Sequence, residues 1–489
     1  MFAAVNRMGV ALPHYQVFTT DGSVGGTSIA ARSVEECSVF GVVLDHAMRS
    51  ILPSRLYLER VSGSMTRNGG RDHYQASLLH GAEKEREAVM PSPQFILFGF
   101  LAGREQLDRA FAIDPTPQVS AVKFQAAILE GLVANGAEVR VVGALPIGSY
   151  PHSKTLLVAG APFTTDIPGV SGVLPFSLNM PLLKLGLRLA TTLYHGIRLI
   201  RSGDGRSGII VYSLHTPYLA AAIVLKRLFG VPVSIFIPDL PIHMAGRVLT
   251  GLHGVVKNLD NRLLQRLAAS TDLAFPITEE IAHDWLPAHL RYVVVEGIAA
   301  AFEPTSPLLR ENLTQKRILY AGSFSHILKV VRMFCSRPEL DVELVLVGGG
   351  PDLDELQQLA AKDQRIDIKP FMVGEPLQRE FEDADFLINP RDTQWDGARY
   401  SFPSKLFDYM TRGLPVLSTS MPSIPPEYFE CFFALDDRDT ERFAVSLKRA
   451  LTASREEIEK RIAVGEGLLR NKKSAKATGA RILEALSSC

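Results

Sequence analysis

The sequence predicts an α/β protein built from two consecutive parallel-sheet domains, and three observations carry this. From Gln94 onward, short apolar runs suited to buried strands alternate with segments of helical length and helical apolar spacing. The alternation occurs as two series, separated by a stretch containing Pro and Glu at 303–311. No apolar run reaches the roughly 18 residues of a membrane-spanning helix, so the apolar content belongs to domain interiors.

Taken in order, residues 1–92 have a different texture. Gly and Ser cluster at 21–28 and 62–70, charge runs through 83–87, and one modest apolar segment covers 38–44. No strand–helix pattern is visible there. The segment reads either as an upstream-extended reading frame, since Met65 and Met90 precede better-patterned sequence, or as a flexible extension. The first domain is expected over 93–302, with strands at QFILFGF, EVRVVGA, 208–213, 231–237, 273–277 and 292–295, and helices at 122–134, 217–229 and 255–268. The second is expected over 303–470, with strands at RILYAG, ELVLVGG, DIKPFM, DFLINP and PVLST, and helices at 352–361, 377–383, 404–412 and 440–451. Residues 454–488 read as helix, and 471–489 as a terminal helix crossing back to the first domain. Strands alternating with helices give parallel sheets covered on both faces. Such sheets bind ligands at the carboxyl ends of their strands, which places the expected site in a cleft between the domains.

The chain has 489 residues, 46% of them hydrophobic and 21% charged, with 52 basic residues balancing 52 acidic ones. A nucleic-acid binder would show a basic excess, so nucleic acid is not an expected partner. The four cysteines, Cys37, Cys335, Cys431 and Cys489, lack metal-ligand spacing and read as free thiols of a reducing cytoplasm. The N-terminus MFAAVNRMGVALPHY has too short an apolar stretch for a signal peptide.

The most informative stretch is 389–428, NPRDTQWDGARYSFPSKLFDYMTRGLPVLSTSMPSIPPEY. DFLINP is a buried strand ending in a polar loop. Ser401 suits a helix N-cap, Pro403 the first turn, Gly413 the C-terminal cap, and Pro415 the position beyond it. The first turn of such a helix offers free N–H groups and the positive end of a dipole, which suit a diphosphate. Lys405 adds a cation, and Ser401 and Ser404 add hydroxyl donors. Asp408 shares a helix face with Ser404 and could accept two ribose hydroxyls. Taken alone, the same residues also fit a capped surface helix with solvated charges.

Other candidates lie at strand ends. Gly349, within GGGP at 348–351, fits either close backbone approach to a ligand or an ordinary tight turn. Arg391 could meet donor phosphates or brace its loop through an ion pair. His215 and Asp239 end successive strands of the first domain, where either could orient an acceptor hydroxyl or the transferred sugar. Glu296, after VVVE, sits near the cleft. His152 and Lys154 are loop candidates for an acceptor and equally fit plain solvent exposure. In the helix at 181–200, Lys184, Arg188, His195 and Arg198 share one quadrant opposite a Leu-rich side. That pattern fits a domain helix with its apolar side in the core and its basic side in water, and it also fits a helix lying on an anionic membrane.

These motifs resemble retaining glycosyltransferases of family 4 with the GT-B architecture, two Rossmann-like domains facing a cleft, and in particular the bacterial capsule and cell-surface polysaccharide members. The matching stretches are NPR at 389–391, YSFPSK at 400–405, the Gly-Leu-Pro-Val turn at 413–416 and the Pro-rich 422–426. Upstream they are ALPIGSYPHSK, VYSLHTP, FIPDLPIHM, PITEEIA and VVVEGIA, so the likeness runs from about Gln94 to the C-terminus. It implies donor contacts at Gly322 and Ser323 and a nucleotide base resting near Phe371 and Met372. Many family members carry two glutamates with seven residues between them around the signature helix. Here those positions hold Tyr400 and Asp408.

The resemblance thus implies a cytoplasmic enzyme, soluble or peripheral at the inner membrane face. It would move a sugar from a nucleoside diphosphate to a cell-surface glycan or lipid-linked acceptor, with retention of configuration. Lys405, His215 and Asp239 are its expected catalytic groups; Gly322, Ser323, Gly349, Phe371, Met372, Arg391, Ser401, Ser404, Lys405 and Asp408 bind the donor; His152, Lys154 and Glu296 bind the acceptor. No cofactor and no metal is expected, because cationic side chains can take a metal's place at the departing diphosphate. An epimerase of the same architecture and a non-catalytic nucleotide-sugar-binding subunit are the rival expectations.

Overall fold

The structure, a computed structural model, is described for residues 92–489 apart from 115–117, 182, 205, 241–250 and 301–315, with backbone alone at 251–253. The irregular segment at 1–91, the connection at 303–311 and the end of FIPDLPIHM lie outside the described residues.

The first sheet is assembled from β1 (Gln94–Phe98), β2 (Glu138–Val142), β4 (Ala161–Thr164), β5 (Val170–Leu174), β7 (Gly208–Tyr212), β8 (Val233–Ile237), β9 (Leu273–Pro276) and β10 (Arg291–Tyr292). A separate two-stranded hairpin pairs β3 (Leu157–Val158) with β6 (Ser177–Leu178). The order in the large sheet is β10-β9-β8-β7-β1-β2-β5-β4, parallel throughout except for β4 against β5. β7 and β8 are buried at every residue, which is why they appear in sequence as unbroken apolar runs instead of alternating ones.

The second sheet contains β11 (Lys316–Ser323), β12 (Val342–Gly349), β13 (Ile366–Lys369), β14 (Phe386–Asn389), β15 (Val416–Thr419) and β16 (Phe433–Leu435). Its order is β13-β12-β11-β14-β15-β16, all parallel. Numbered within the domain, that is the 3-2-1-4-5-6 order of a Rossmann sheet, whose strand order reverses between its first and fourth strands. Here the reversal falls between β11 and β14. In the first sheet the corresponding reversal falls between β1 and β7.

Local chemistry sets the helix ends. Thr278, Asp439, Ser454 and Ser474 each accept a hydrogen bond from a first-turn N–H of the helix that follows. The Thr216–Phe229 helix stops at Gly230, which takes the left-handed conformation with φ 70°.

The C-terminal stretch is two helices, Arg455–Leu468 and Ala475–Ser487, joined by a π-turn at Leu469–Lys473. Sequence periodicity blurred this break. The Ala475–Ser487 helix packs on the first-domain helix Val119–Ala134 with glycine against glycine: a methyl group on Gly479 would stand 2.1 Å from the Gly131 carbonyl oxygen. Asn135 donates to the Lys476 carbonyl at 2.9 Å across the same contact.

The Leu183–Ser202 helix is oriented differently from the sequence expectation of an apolar core side and a basic water side. Its inward face includes Arg188, Thr192 and Gly196 beside Leu189, Leu193 and Ile197, while Leu183 is 57% exposed. Arg188 can be buried because it finds two aromatic faces, Phe100 at 5.3 Å and Tyr218 at 5.6 Å.

Candidate active site

At the carboxyl end of β11 the chain bends at Gly322 and Ser323. Tyr320 donates to the Ser323 carbonyl at 2.6 Å and holds that bend. The signature helix is anchored to the same strand by Tyr409, whose hydroxyl accepts from Ala321 N at 3.0 Å. This anchor lays the Lys405 stem over the strand end: a methyl group on Gly322 would stand 3.0 Å from Lys405 Cε and 2.9 Å from the Tyr320 hydroxyl. Gly322, Ser323 and Lys405 are therefore brought together at the reversal point of the second sheet.

The helix itself differs from its sequence signposts. It runs from Lys405 to Met410, and its N-cap is Ser404, not Ser401. Ser401 is extended and ends a preceding 3₁₀ turn; its carbonyl accepts from Ser423 Oγ at 2.8 Å. Pro403 explains the shift, since its ring disfavours the helical conformation in Phe402 before it. The Leu406 and Phe407 N–H groups already donate to Pro403 and Ser404 carbonyls. A six-residue helix so occupied offers little backbone charge, and the cationic side chains carry the site's attraction for anions. Asp408 is exposed on the same side as Ser404, and it pairs with Lys405 at 3.7 Å.

Lys405 faces the first domain. Burial holds its ammonium below the usual lysine range; Asp408 opposes that shift, while Lys123 of the first domain and Arg391 add to it. Arg391, directly after β14, lies close enough to Asp239 to lower its pKa, so the two strand ends meet electrostatically across the cleft. Asp239 is open to cleft water yet crowded by the cleft walls, and that crowding pushes its pKa up to about 6 against the pull of Arg391. His215, at the end of β7, takes its contact from Arg188, whose Nη1 lies 2.9 Å from the imidazole Nε2.

The remaining candidates separate. Phe371 is 73% exposed just past β13, so it is not a core residue, while Met372 packs against the interior. Gly348 and Gly350 are explained by internal packing at φ 148° and 152°, where side chains would strike Gly322 and Phe324. Gly349 faces open space. His152 and Lys154 are exposed in the loop before the β3–β6 hairpin.

Glu296 is held in an ion pair at the wall of a cavity between the domains. Its carboxylate is nearly buried against Lys473 at 2.8 Å, and Lys473 also meets Glu427 at 3.1 Å. A buried carboxylate satisfied by a buried ammonium braces the crossover between domains. Beside it lies a cavity of about 770 Å³, lined by residues of both domains that include Thr278, Glu280, Ser423 and Arg481.

Four contacts escaped sequence reasoning. Tyr400, at the position of the absent glutamate, donates to Asp284 of the first domain at 2.7 Å, and Arg399 pairs with the same carboxylate at 2.7 Å. Gly297 packs so tightly on Phe407 that a methyl group there would stand 2.6 Å from the ring. Gln125, fully buried, holds Phe100 N at 2.8 Å; a polar residue inside the apolar run FQAAIL was its only signal.

Two Rossmann-like domains meeting at their strand ends define the GT-B class, and the family described as "Glycosyl transferases group 1" matches residues 315–453, which make up most of the second domain. Among solved structures, the chain is similar to a sucrose-phosphate synthase from Thermosynechococcus elongatus, with 14% identity and a TM-score of 0.57 over 81% of this chain and 98% of that one. It is similar to an alpha,alpha-trehalose-phosphate synthase (UDP-forming) from Burkholderia xenovorans in complex with glucose-6-phosphate, with 11% identity and a TM-score of 0.54 over 80% and 100% of the two chains. A trehalose-6-phosphate protein from E. coli bound with UDP-2-fluoro glucose gives 11% identity and a TM-score of 0.54 over 81% and 99%. At these identities the likeness is one of fold. No curated protein sequence matches the chain.

Proposed function

We propose that the protein is a retaining glycosyltransferase that moves a sugar from a nucleoside diphosphate to a cell-surface glycan or lipid-linked acceptor at the inner face of the membrane. The observation that carries this reading is Lys405 lying over Gly322 at the reversal point of the second sheet, with Arg391 nearby and the first domain opposite. A departing diphosphate gains negative charge in the transition state, and two preorganised cations stabilise it there more than in the ground state. Exposed Phe371 gives a nucleotide base an aromatic face near the edge of the same sheet. His215 and Asp239, at the ends of first-domain strands, would serve as contacts for the sugar or the acceptor hydroxyl, and Asp239 is close enough to Arg391 to feel its charge. One GT-B neighbour is bound with a UDP-sugar analogue, which supports a nucleotide-sugar donor.

The lipid-linked acceptor and membrane contact are supported by an apolar surface. Leu156, Leu157, Phe176, Met180, Leu183 and Leu185 are all exposed around the β3–β6 hairpin and the helix after it. That helix carries basic residues and no acidic one, which suits an anionic bilayer. Among the described residues no helix is long and apolar enough to cross a membrane.

One observation favours a non-catalytic binding subunit: Tyr400 stands where a glutamate would approach the donor sugar, and it is spent on Asp284. Incubating the protein with a panel of nucleotide sugars and membrane-derived acceptors separates the readings. Release of nucleoside diphosphate with label appearing in the lipid fraction supports transfer. Binding without turnover supports the subunit, and an epimerised sugar supports an epimerase.

A further inference from the structure

We propose that Arg188 is a positioning residue that fixes His215 as the neutral Nδ1–H tautomer, making His215 a hydrogen-bond donor to the substrate and not a base. Arg188 is only 7% exposed, and among the described residues no carboxylate pairs with it. Its Nη1 lies 2.9 Å from His215 Nε2. A guanidinium has N–H donors and no lone pair, and it stays charged at every working pH. The imidazole nitrogen facing it must therefore present its own lone pair, which leaves the ring hydrogen on Nδ1. A second proton on Nε2 would set N–H against N–H and place two buried cations side by side.

The surroundings hold this state. The His215 ring sits 5.1 Å from the Phe100 ring and 5.0 Å from the Tyr218 ring, the same two rings that flank Arg188. Among the described residues, the charged or titratable groups facing it are Arg188 and Lys184 from the Leu183–Ser202 helix and Tyr218 from its own helix, whose hydroxyl donates to Gly99 O. None is an acid. Burial first, then Arg188 and Lys184, hold the imidazole well below its ordinary pKa. Although His215 occupies the N-cap of the Thr216–Phe229 helix, its side chain makes no capping bond, and Nδ1 has no partner among the described residues. At the end of β7, beside the reversal point of the first sheet, a fixed N–H donor suits a sugar or acceptor oxygen. What receives the hydrogen bond rests on the glycosyltransferase reading; the tautomer does not, so the two can fail separately.

The test is long-range ¹H–¹⁵N spectroscopy of the full chain labelled at histidine, across roughly pH 5 to 8, with the His215 signals identified by their loss in His215→Gln. The wild type should show a protonated Nδ1 and an unprotonated Nε2 that do not change over this range. In Arg188→Gln the same signals should become a mixture of the two tautomers, while burial and Lys184 still hold the ring below its ordinary pKa, and Arg188→Lys should restore much of the wild-type pattern. A wild-type His215 that titrates in this window, or that carries its proton on Nε2, overturns the proposal even if the Arg188 variants do not fold. An unchanged spectrum in folded Arg188→Gln overturns it equally.

Discussion

Lys405 Cε of the second domain's signature helix lies where a methyl group on Gly322 would come within 3.0 Å of it. The absence of a side chain at Gly322 is what lets the lysine stem cross the end of β11. Gly322→Ala should therefore displace the ammonium and weaken nucleoside diphosphate binding about tenfold, the order expected when one charge-assisted contact is misplaced. Stability should fall by less than about 1 kcal/mol, because a flexible stem can give way. Titration calorimetry and thermal melting check the two halves. Unchanged affinity would remove the Gly322–Lys405 contact from the site.

Asp408 has two assignments, a ribose contact from its helix face and a partner for Lys405 from the 3.7 Å pair. Asp408→Asn separates them. The ribose assignment predicts a loss of roughly 1 kcal/mol in nucleotide binding with pyrophosphate binding retained or improved. Equal losses for both ligands would make Asp408 a support for Lys405 alone.

Asp239 gives a pH signature. Its pKa is raised to about 6 from the ordinary 3.8, so between those values the folded protein binds more protons at this site than the unfolded chain. Stability from this residue therefore falls as pH rises through the window, and it is lowest above pH 6. Asp239→Asn should flatten the dependence and stabilise the protein at neutral pH by about 1 kcal/mol, less than the full shift implies because cleft water screens the charge. Melting curves from pH 4 to 7 measure it; a variant that melts below wild type at pH 7 would contradict the shift.

The crossover between domains rests on the Glu296–Lys473–Glu427 cluster, in which Glu296 and Lys473 are buried. Lys473→Met leaves the buried Glu296 carboxylate without its cation, while Glu427 keeps Lys472 at 3.0 Å, and should cost about 3–5 kcal/mol, read from denaturant midpoints. A loss under about 1 kcal/mol would mean that water replaces the lysine.

The sequence made the sheets legible because parallel strands buried on both faces appear as near-continuous apolar runs, as in FILF of β1 and IIVY of β7. It was silent on β4 and β5, whose exposed positions give weak patterns, and on the edge strand β16, three residues long. Within the site, residues on the main chain at strand ends, Gly322 and Arg391 among them, could be placed from motif order. Side-chain pairing could not. Glu296 could be placed near the cleft, whose cavity it lines, but nothing local reveals that Lys473, 177 positions away, reaches it at 2.8 Å. Arg188 read as a surface cation because helical spacing assigns it to a basic quadrant, while only the folded chain supplies Phe100, Tyr218 and His215 around it. Ser401 read as a cap by residue type, and the effect of Pro403 on its neighbour moved the helix start to Lys405.

The central claim is that Lys405 binds the diphosphate of a nucleotide donor, and calorimetric titration of nucleoside diphosphates into the wild type and Lys405→Ala tests it most directly. The account predicts saturable binding of at least one nucleoside diphosphate by the wild type. It predicts binding roughly 10- to 100-fold weaker in the variant, the equivalent of about 1.5–3 kcal/mol for a charge-assisted contact, with an unchanged melting temperature. Equal affinities in the two proteins, or a wild type that binds no nucleoside diphosphate, would contradict it.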